Sequence, residues 1–283
     1  MLTRYDQAAS RAAAQVMGQY STSFSLATRL LRGRVRADIR HLYAVVRIAD
    51  ELVDGAAVQA HTDPAAALNA YEQTILAAPQ RRLHTDPIVH AYAITARRCG
   101  FHEEHLAAFF SSMRADLTQR EYSPSELQDY IYGSAEAIGL LCLQIFLAEE
   151  DVSPADRAAM ERGARALGSA FQKINFLRDL GEDSSTLGRT YFQQAPSGRI
   201  DEATKSALIA EIRQELATAA LTIDVLPASA RVGVSAAADI FAELTNRLAA
   251  TPATTLATTR VSVPNHTKAW LAARAVRRRG HSS

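Results

Sequence analysis

The sequence predicts an all-α protein, a single-domain helical bundle, on three observations. Alanine, the strongest helix former, supplies 54 of the 283 residues. Only 13 Gly and 9 Pro interrupt the chain, and they fall between segments whose apolar residues recur with a helical period. The β-branched runs that would mark strands are short.

Taken in order, the periodicity predicts helices over about 4–19, 35–54, 64–78, 87–99 and 103–121, with Gly55, Pro64, Pro79, Pro87 and Gly100 as breakers. Ser123-Pro124-Ser125-Glu126 and Ser153-Pro154-Ala155-Asp156 each combine a capping hydroxyl, a Pro at the first helical position and an early acid. They start helices over about 124–148 and 154–183. Further helices run over about 202–224, 229–250 and 264–278. The segment from Thr186 to Arg199 carries the longest run without helical patterning and is expected to be a mobile loop. No Ser/Gly-rich linker and no repeat divides the chain, so residues 1–283 read as one domain with a basic tail from Arg274 to Ser283.

The formal net charge is +1, from 31 Lys and Arg against 30 Asp and Glu. That balance argues against a nucleic-acid partner, which calls for a basic excess, and against a disordered polyelectrolyte. Cys99 and Cys142 sit in apolar helical contexts without CxxC spacing; they read as core fillers in a reducing compartment. The segment Met1–Tyr20, charged at Arg4, Asp6 and Arg11, does not read as a signal peptide. The most apolar stretch, Ile138–Ala148, is interrupted by Gln144, so no membrane span is expected and the location expected is cytoplasmic. P-loop, GxGxxG and GxSxG motifs are missing, which removes the usual marks of nucleotide hydrolysis, dinucleotide binding and esterase chemistry. His102-Glu103-Glu104-His105 spaces its histidines i, i+3 and reads as a surface helix start, not a zinc site. Arg274, Arg277, Arg278 and Arg279 read as a helix C-terminal cation cluster or an anionic-lipid contact.

The chemistry lies in two helical stripes that ought to be apolar and are not. At about 100° per residue, Tyr43, Arg47, Asp50 and Asp54 fall within roughly 60° of one another. Val45, Val46, Ile48, Ala49, Leu52 and Val53 flank them, so this helix is expected to be buried on most sides. By the same arithmetic Gly168, Gln172, Asn175, Asp179 and Asp183 line a second stripe, backed by Ala170, Ile174 and Leu177. Each stripe carries two carboxylates spaced i, i+4, which can converge on one divalent cation. Burying such stripes uncompensated costs several kcal/mol per charge, so they must be paired or metal-neutralised. An oxygen-only ligand set favours a hard cation such as Mg²⁺, which keeps waters and bridges to phosphate oxygens.

Tyr20-Ser21-Thr22-Ser23-Phe24-Ser25, the Tyr43–Asp54 block, Tyr132-Gly133-Ser134-Ala135-Glu136-Ala137-Ile138-Gly139 and the Gln172–Asp183 block resemble the signatures of the phytoene/squalene synthase family, in the family's order. Arg189-Thr190-Tyr191-Phe192, Arg260 and Lys268 extend the likeness to the head-to-head prenyl transferases, nearest to the bacterial phytoene synthases. The resemblance implies an isoprenoid synthase bundle around a central cavity, with the two aspartate-rich helices facing each other. It implies that Asp50, Asp54, Asn175, Asp179 and Asp183 hold Mg²⁺ (or Mn²⁺), and that Tyr43 and Arg47 act with the four aspartates in catalysis. The implied substrate contacts are Ser23, Phe24, Tyr43, Arg47, Gln172, Asn175, Arg178, Arg189, Tyr191, Ile138, Gly139 and Lys268. The implied reaction joins two geranylgeranyl diphosphates through a cyclopropyl diphosphate to phytoene, without NADPH. A dry apolar cavity must protect the cations, and Phe24, Ala135, Ile138, Gly139, Leu140 and Phe171 are expected to line it, Gly139 giving room for a long chain.

Two departures stand out. Glu51 replaces a frequent Asp and, lying 100° off the stripe, is expected to orient a water or an arginine. Ser134 stands where relatives often carry Val. Asp116 matches an often acidic position and is expected behind the metal ligands. The alternatives are dehydrosqualene or squalene formation from farnesyl diphosphate, and an inactive helical scaffold. A peripheral membrane contact at the inner face of the cell membrane is expected because the hydrocarbon product must leave into lipid; the sequence does not set the oligomeric state.

Overall fold

The computed structural model of the chain describes residues 1–180 and 200–280. The helices are α1 (Leu2–Tyr20), α2 (Thr22–Arg29), α3 (Gly33–Val53), α4 (Ala56–Gln59), α5 (Pro64–Ala77), α6 (Pro87–Cys99), α7 (Glu103–Thr118), α8 (Pro124–Ile131), α9 (Ala137–Leu147), α10 (Pro154–Arg178), α11 (Glu202–Ile223), α12 (Ala228–Ala250), α13 (Ala253–Leu256) and α14 (Asn265–Gly280). No strand occurs among the described residues. The all-α expectation holds, and the long helices fall where the periodicity put them.

Their starts follow from local chemistry. Asp63 accepts from the Ala65 amide at 3.0 Å and Asp86 from the Ile88 amide at 2.7 Å, each followed by a Pro that has no amide to satisfy. Ser153 accepts from the Asp156 amide, and Ser123 and Glu126 form a reciprocal capping box.

Three departures from the sequence reading have physical causes. The short α2 follows α1 directly: Ser21 caps it by accepting from the Phe24 amide, and eight residues are too few to show periodicity. Residues 124–148 do not form one uniform α-helix, because Tyr132–Glu136 is a π turn between α8 and α9. The helix read over 154–183 stops at Arg178, with Asp179 as its cap residue. The expected Thr186–Arg199 loop lies outside the described residues.

One apolar cluster joins α1, α3, α6 and α7 through residues such as Leu42, Val45, Tyr92, Phe109 and Phe110. A second joins α10, α11 and α12 through Ile174, Leu177, Ile212, Phe241 and Leu248. Polar pins complement them. Lys173 of α10, buried, reaches Glu215 of α11 at 2.6 Å, and Ser169 donates to the same carboxylate at 2.8 Å. At α3, His41 Nδ1 meets Thr95 at 2.8 Å and Nε2 meets Ser10 at 2.9 Å. Thr95 donates onward to Asp38 at 2.5 Å, and Asp38 pairs with Arg98. Burial pushes the His41 imidazole down to about 4, so this chain of bonds joins α1, α3 and α6 through a neutral ring.

The α8–α9 run Pro124–Leu147 is long and apolar enough to cross a membrane by length and composition, which the sequence reading did not expect. More than half of it is packed inside the bundle, as a core helix would be.

Candidate active site

A cavity of about 720 Å³ opens between the clusters. Its lining separates into two ends along the helices. On α3 the lining residues run from Ile39 and Leu42 to Arg47 and Asp50, ending at Asp54 just beyond the helix. On α10 they run from Met160, Gly163 and Ala164 to Gln172, Asn175 and Arg178, with Asp179 at the cap. Both walls pass from apolar to polar in the same sequence direction. At about 1.5 Å per residue the α10 lining extends for roughly 28 Å.

Every described member of the two stripes reaches this cavity: Tyr43, Arg47, Asp50 and Asp54 from one wall, and Gly168, Gln172, Asn175 and Asp179 from the other. Ser23, Phe24, Ile138, Gly139, Arg178 and Lys268 line it too. Asp183, Arg189 and Tyr191 lie outside the described residues.

The electrostatics of the two walls differ. Asp50 keeps 31 % of its side chain open to the cavity but is surrounded by protein. Burial, which outweighs the attraction of Arg47, together with the nearby Asp54, Asp116 and Glu51, pushes its carboxyl up to about 8. Arg47 lies 3.7 Å from Asp50, pairs more closely with Glu51, and stacks 4.5 Å above the Tyr20 ring. Glu51 thus orients an arginine, one of its two expected roles. Burial raises the Tyr43 hydroxyl above its ordinary value, keeping it a proton donor. Opposite, Arg178 Nε donates to Asp179 at 2.9 Å, and Arg260 lies 3.1 Å from the same carboxylate. Lys268 donates to Thr22 at 2.7 Å; partial burial and the neighbouring Arg178 lower its pKa. Two cations crowded at a cavity wall suit a polyanion.

The donors fit a hard cation that completes its shell with phosphate oxygen. They are carboxylates and amides, and Asp50 lacks enough local positive charge to ionise readily. Among the described residues the aspartates of the two walls do not come together as a three-carboxylate group. His102, Glu104 and His105 do bring their ligand atoms within 4.8 Å of one another at the start of α7, with His102 and Glu104 exposed and His105 tucked inward.

Deeper in, Phe24 packs 5.9 Å from Phe171 and 5.4 Å from Phe241, and Phe171 stacks on Phe241 at 3.9 Å. Ala135, Ile138 and Gly139 line the cavity, but Leu140, though buried, does not. Cys142, read as a core filler, also lines the cavity. Gly139 has another role than room for substrate. A Cβ there would come 2.5 Å from the Ala164 carbonyl oxygen, as one at Gly168 would from that of Ala135. These glycines let α10 lie directly against α9 and the π turn. Tyr130, missed by the sequence reading, lines the cavity and donates its hydroxyl to Asp116 at 3.1 Å. Tyr130 follows the polar stretch Ser125-Glu126-Leu127-Gln128-Asp129, and nothing in that stretch marks it as a site residue. Asp116, expected behind the metal ligands, lines the cavity itself. The Ser134 hydroxyl is buried without a hydrogen-bond partner among the described groups.

Comparison with known proteins agrees with this geometry. The description "Squalene/phytoene synthase" matches residues 17–267. The chain belongs to that family. It is 35% identical over 184 residues to phytoene synthase 3 of Zea mays, covering 64% of this chain and 41% of that protein. It is 32% identical to a 4,4'-diapophytoene synthase of Staphylococcus haemolyticus, covering 64% and 61%, and 29% identical to a 15-cis-phytoene synthase of Paracoccus sp., covering 78% and 72%. The matches thus span about half the length of the first two relatives. Among solved structures, a dehydrosqualene synthase in complex with ligand superposes with a TM-score of 0.79 at 20% identity, covering 99% of this chain and all of that one. A squalene synthase from Alicyclobacillus acidocaldarius gives 0.72 at 20% identity, covering 87% and 96%. The fold is that of the all-helical isoprenoid synthases, and the family acts on prenyl diphosphates.

Proposed function

We propose that this protein is a phytoene synthase, condensing two geranylgeranyl diphosphates head to head through a cyclopropyl diphosphate, with Mg²⁺ as cofactor and no need of NADPH. The observation that carries the reading is one cavity whose two walls both run from an apolar end to an aspartate-and-arginine end. Names of relatives at 35% and 29% identity support it.

Asp50 and Asp54 would hold Mg²⁺ from one wall, and Asn175, Asp179 and Asp183 from the other; the bound cations supply positive charge that offsets the charge gathering on the departing diphosphate. The protein's residues do the rest. Arg47, Arg178, Arg260 and Lys268 bind the diphosphates at the polar end, and Tyr43, held protonated, donates a hydrogen bond. Gln172 and Ser23 orient the oxygens. Phe24, Ile138 and Phe171 keep water from the allylic cation left when the first C–O bond breaks and its electron pair leaves with diphosphate. That cation alkylates the second substrate's double bond, and loss of a proton closes the cyclopropane. A second C–O ionisation, rearrangement and proton loss give the central double bond. Arg189 and Tyr191 are assigned to substrate binding from the family motif alone.

A second reading has its own support: the staphylococcal relative at 32% identity is named a diapophytoene synthase, so farnesyl diphosphate is the competing substrate. An inactive scaffold is disfavoured, since all described stripe members reach one cavity. We place the enzyme in the cytoplasm, touching the membrane.

The test is incubation of purified protein with Mg²⁺ and each diphosphate, followed by product chromatography. Phytoene from geranylgeranyl diphosphate, suppressed by EDTA, is expected. Preferential turnover of farnesyl diphosphate selects the second reading; unreacted substrate or geranylgeraniol alone defeats the first.

A further inference from the structure

The near-zero net charge hides a strong asymmetry. Residues 244–283 contain seven Lys and Arg and no Asp or Glu, so the preceding 243 residues carry the other 24 basic residues against all 30 acidic ones. Most of the terminal excess lies on α14, which packs on α12 and α2. Its inner face buries Leu271, Ala272 and Ala275 and presents Lys268 to the cavity. Its outer face is unusual. At about 100° per residue, His266, Ala269, Trp270, Ala273, Val276 and Arg277 fall within about 120° of one another, and all six are exposed. Trp270, 57 % exposed, and Val276, 47 % exposed, are among the large apolar side chains left in solvent. Arg274 lies 4.9 Å from the Trp270 ring; Arg274 and Arg278 share Asp239 of α12.

An outward apolar strip with an indole at its centre, cations at its C-terminal end and no acid on the helix has the composition of an interfacial helix. A soluble helix would place mixed charges there. We propose that the outer face of α14 docks onto an anionic phospholipid surface, with Trp270, Ala273 and Val276 entering the headgroup boundary and Arg277 contacting lipid phosphates. The proposal deepens the membrane contact named above, but it rests on charge and shape and not on which diphosphate reacts. Its consequence is geometric: the segment carrying Val261, Ser262, Val263 and Lys268 along the cavity would lie at the bilayer, between lipid and the site where a hydrocarbon forms.

Trp270 is the only tryptophan in the chain, so it reports on its own environment. The experiment titrates the full-length protein with vesicles of phosphatidylcholine containing 30 mol% phosphatidylglycerol, and with pure phosphatidylcholine, following tryptophan emission, quenching by brominated acyl chains and flotation. Expected are a blue shift, quenching and co-flotation with the anionic vesicles, weakened at high salt. Arg277→Ala should weaken binding about fivefold, the usual effect of one basic side chain at an anionic surface. Trp270→Ala, read by flotation, should weaken it at least as much, while turnover of detergent-solubilised substrate stays unchanged. Because α14 buries its other face, circular dichroism checks that both variants remain folded. Failure to float with anionic vesicles overturns the proposal, and so does flotation insensitive to Trp270→Ala, which would indicate a nonspecific polyanion patch. A Trp270-dependent dimer without flotation assigns the face to a second copy instead and also overturns it. These readouts need no turnover, so their failure is separate from failure of the proposed reaction.

Discussion

Helix α3 carries two sets of polar groups on opposite sides, one buried in the bundle and one lining the cavity, and they are treated differently. Asp38 and His41 are matched by the protein: Thr95, Ser10 and Arg98 satisfy them. Two turns on, Asp50 stands among Asp54, Asp116 and Glu51 and is ill matched, its carboxyl pushed up to about 8. Burial drives both shifts, downward for the imidazole and upward for the carboxyl, because it disfavours whichever form is charged. The first set was completed by side chains for stability. The second is short of positive charge, as a site should be if its cations and diphosphate arrive from solution. Desolvation acts on both sides of this helix, and completeness of pairing distinguishes the structural set from the functional one.

The largest test of that contrast is Asp50→Ala. Catalysis should fall by about 10³-fold, the scale of removing one electrostatic anchor of a developing charge, with the thermal midpoint unchanged or raised. Asp38→Ala should do the reverse, costing about 3 kcal/mol of stability by leaving the buried Thr95 hydroxyl without its acceptor and Arg98 with Glu149 alone. Denaturant titration reads this, and turnover per folded molecule should stay near wild type.

The pH dependence separates the two sets again. Between pH 6.5 and about 4 the unfolded chain binds a proton at His41 that the folded chain refuses. Stability therefore falls as pH drops through that window, by up to about 3 kcal/mol, and His41→Gln should flatten the fall. Asp50 acts with opposite sign: between its ordinary 3.8 and about 8 the folded state holds the extra proton, so stability falls as pH rises. Asp50→Asn should recover about 1–2 kcal/mol at pH 8, the full shift being discounted for water in the cavity. Smallest is Ser134→Val, which replaces an unpartnered hydroxyl in the cavity wall; a gain of about 1 kcal/mol in folding stability is expected.

The stripes Tyr43–Asp54 and Gly168–Asp179 were legible in the sequence because helical spacing turns one dimension into one face, and an acid on an otherwise apolar face is conspicuous. Proline and capping residues made most helix starts legible in the same way. What escaped were relations between distant segments. Nothing near Asp38 and His41 in the sequence announces Thr95 or Ser10, so the Asp38–His41 side of α3 carried no readable signal. Tyr130 and Asp116 are 14 residues apart in the chain and meet only because α7 and α8 fold together. Gly139 suggested space and instead marks contact, since the Ala164 carbonyl that fills its place comes from another helix.

The π turn at Tyr132–Glu136 sets the phase of everything after it. A π turn holds one more residue than an α turn, so the same residues wound as plain α-helix would rotate α9 by about 100° relative to α8. Tyr130, before the turn, and Ile138 and Gly139, after it, would no longer share one cavity, and Gly139 would leave the Ala164 carbonyl. One surplus residue thus acts as the vernier that aligns a polar and an apolar half of a single helical run, and Gly133 within it admits no side chain because the Ala108 carbonyl of α7 occupies that place.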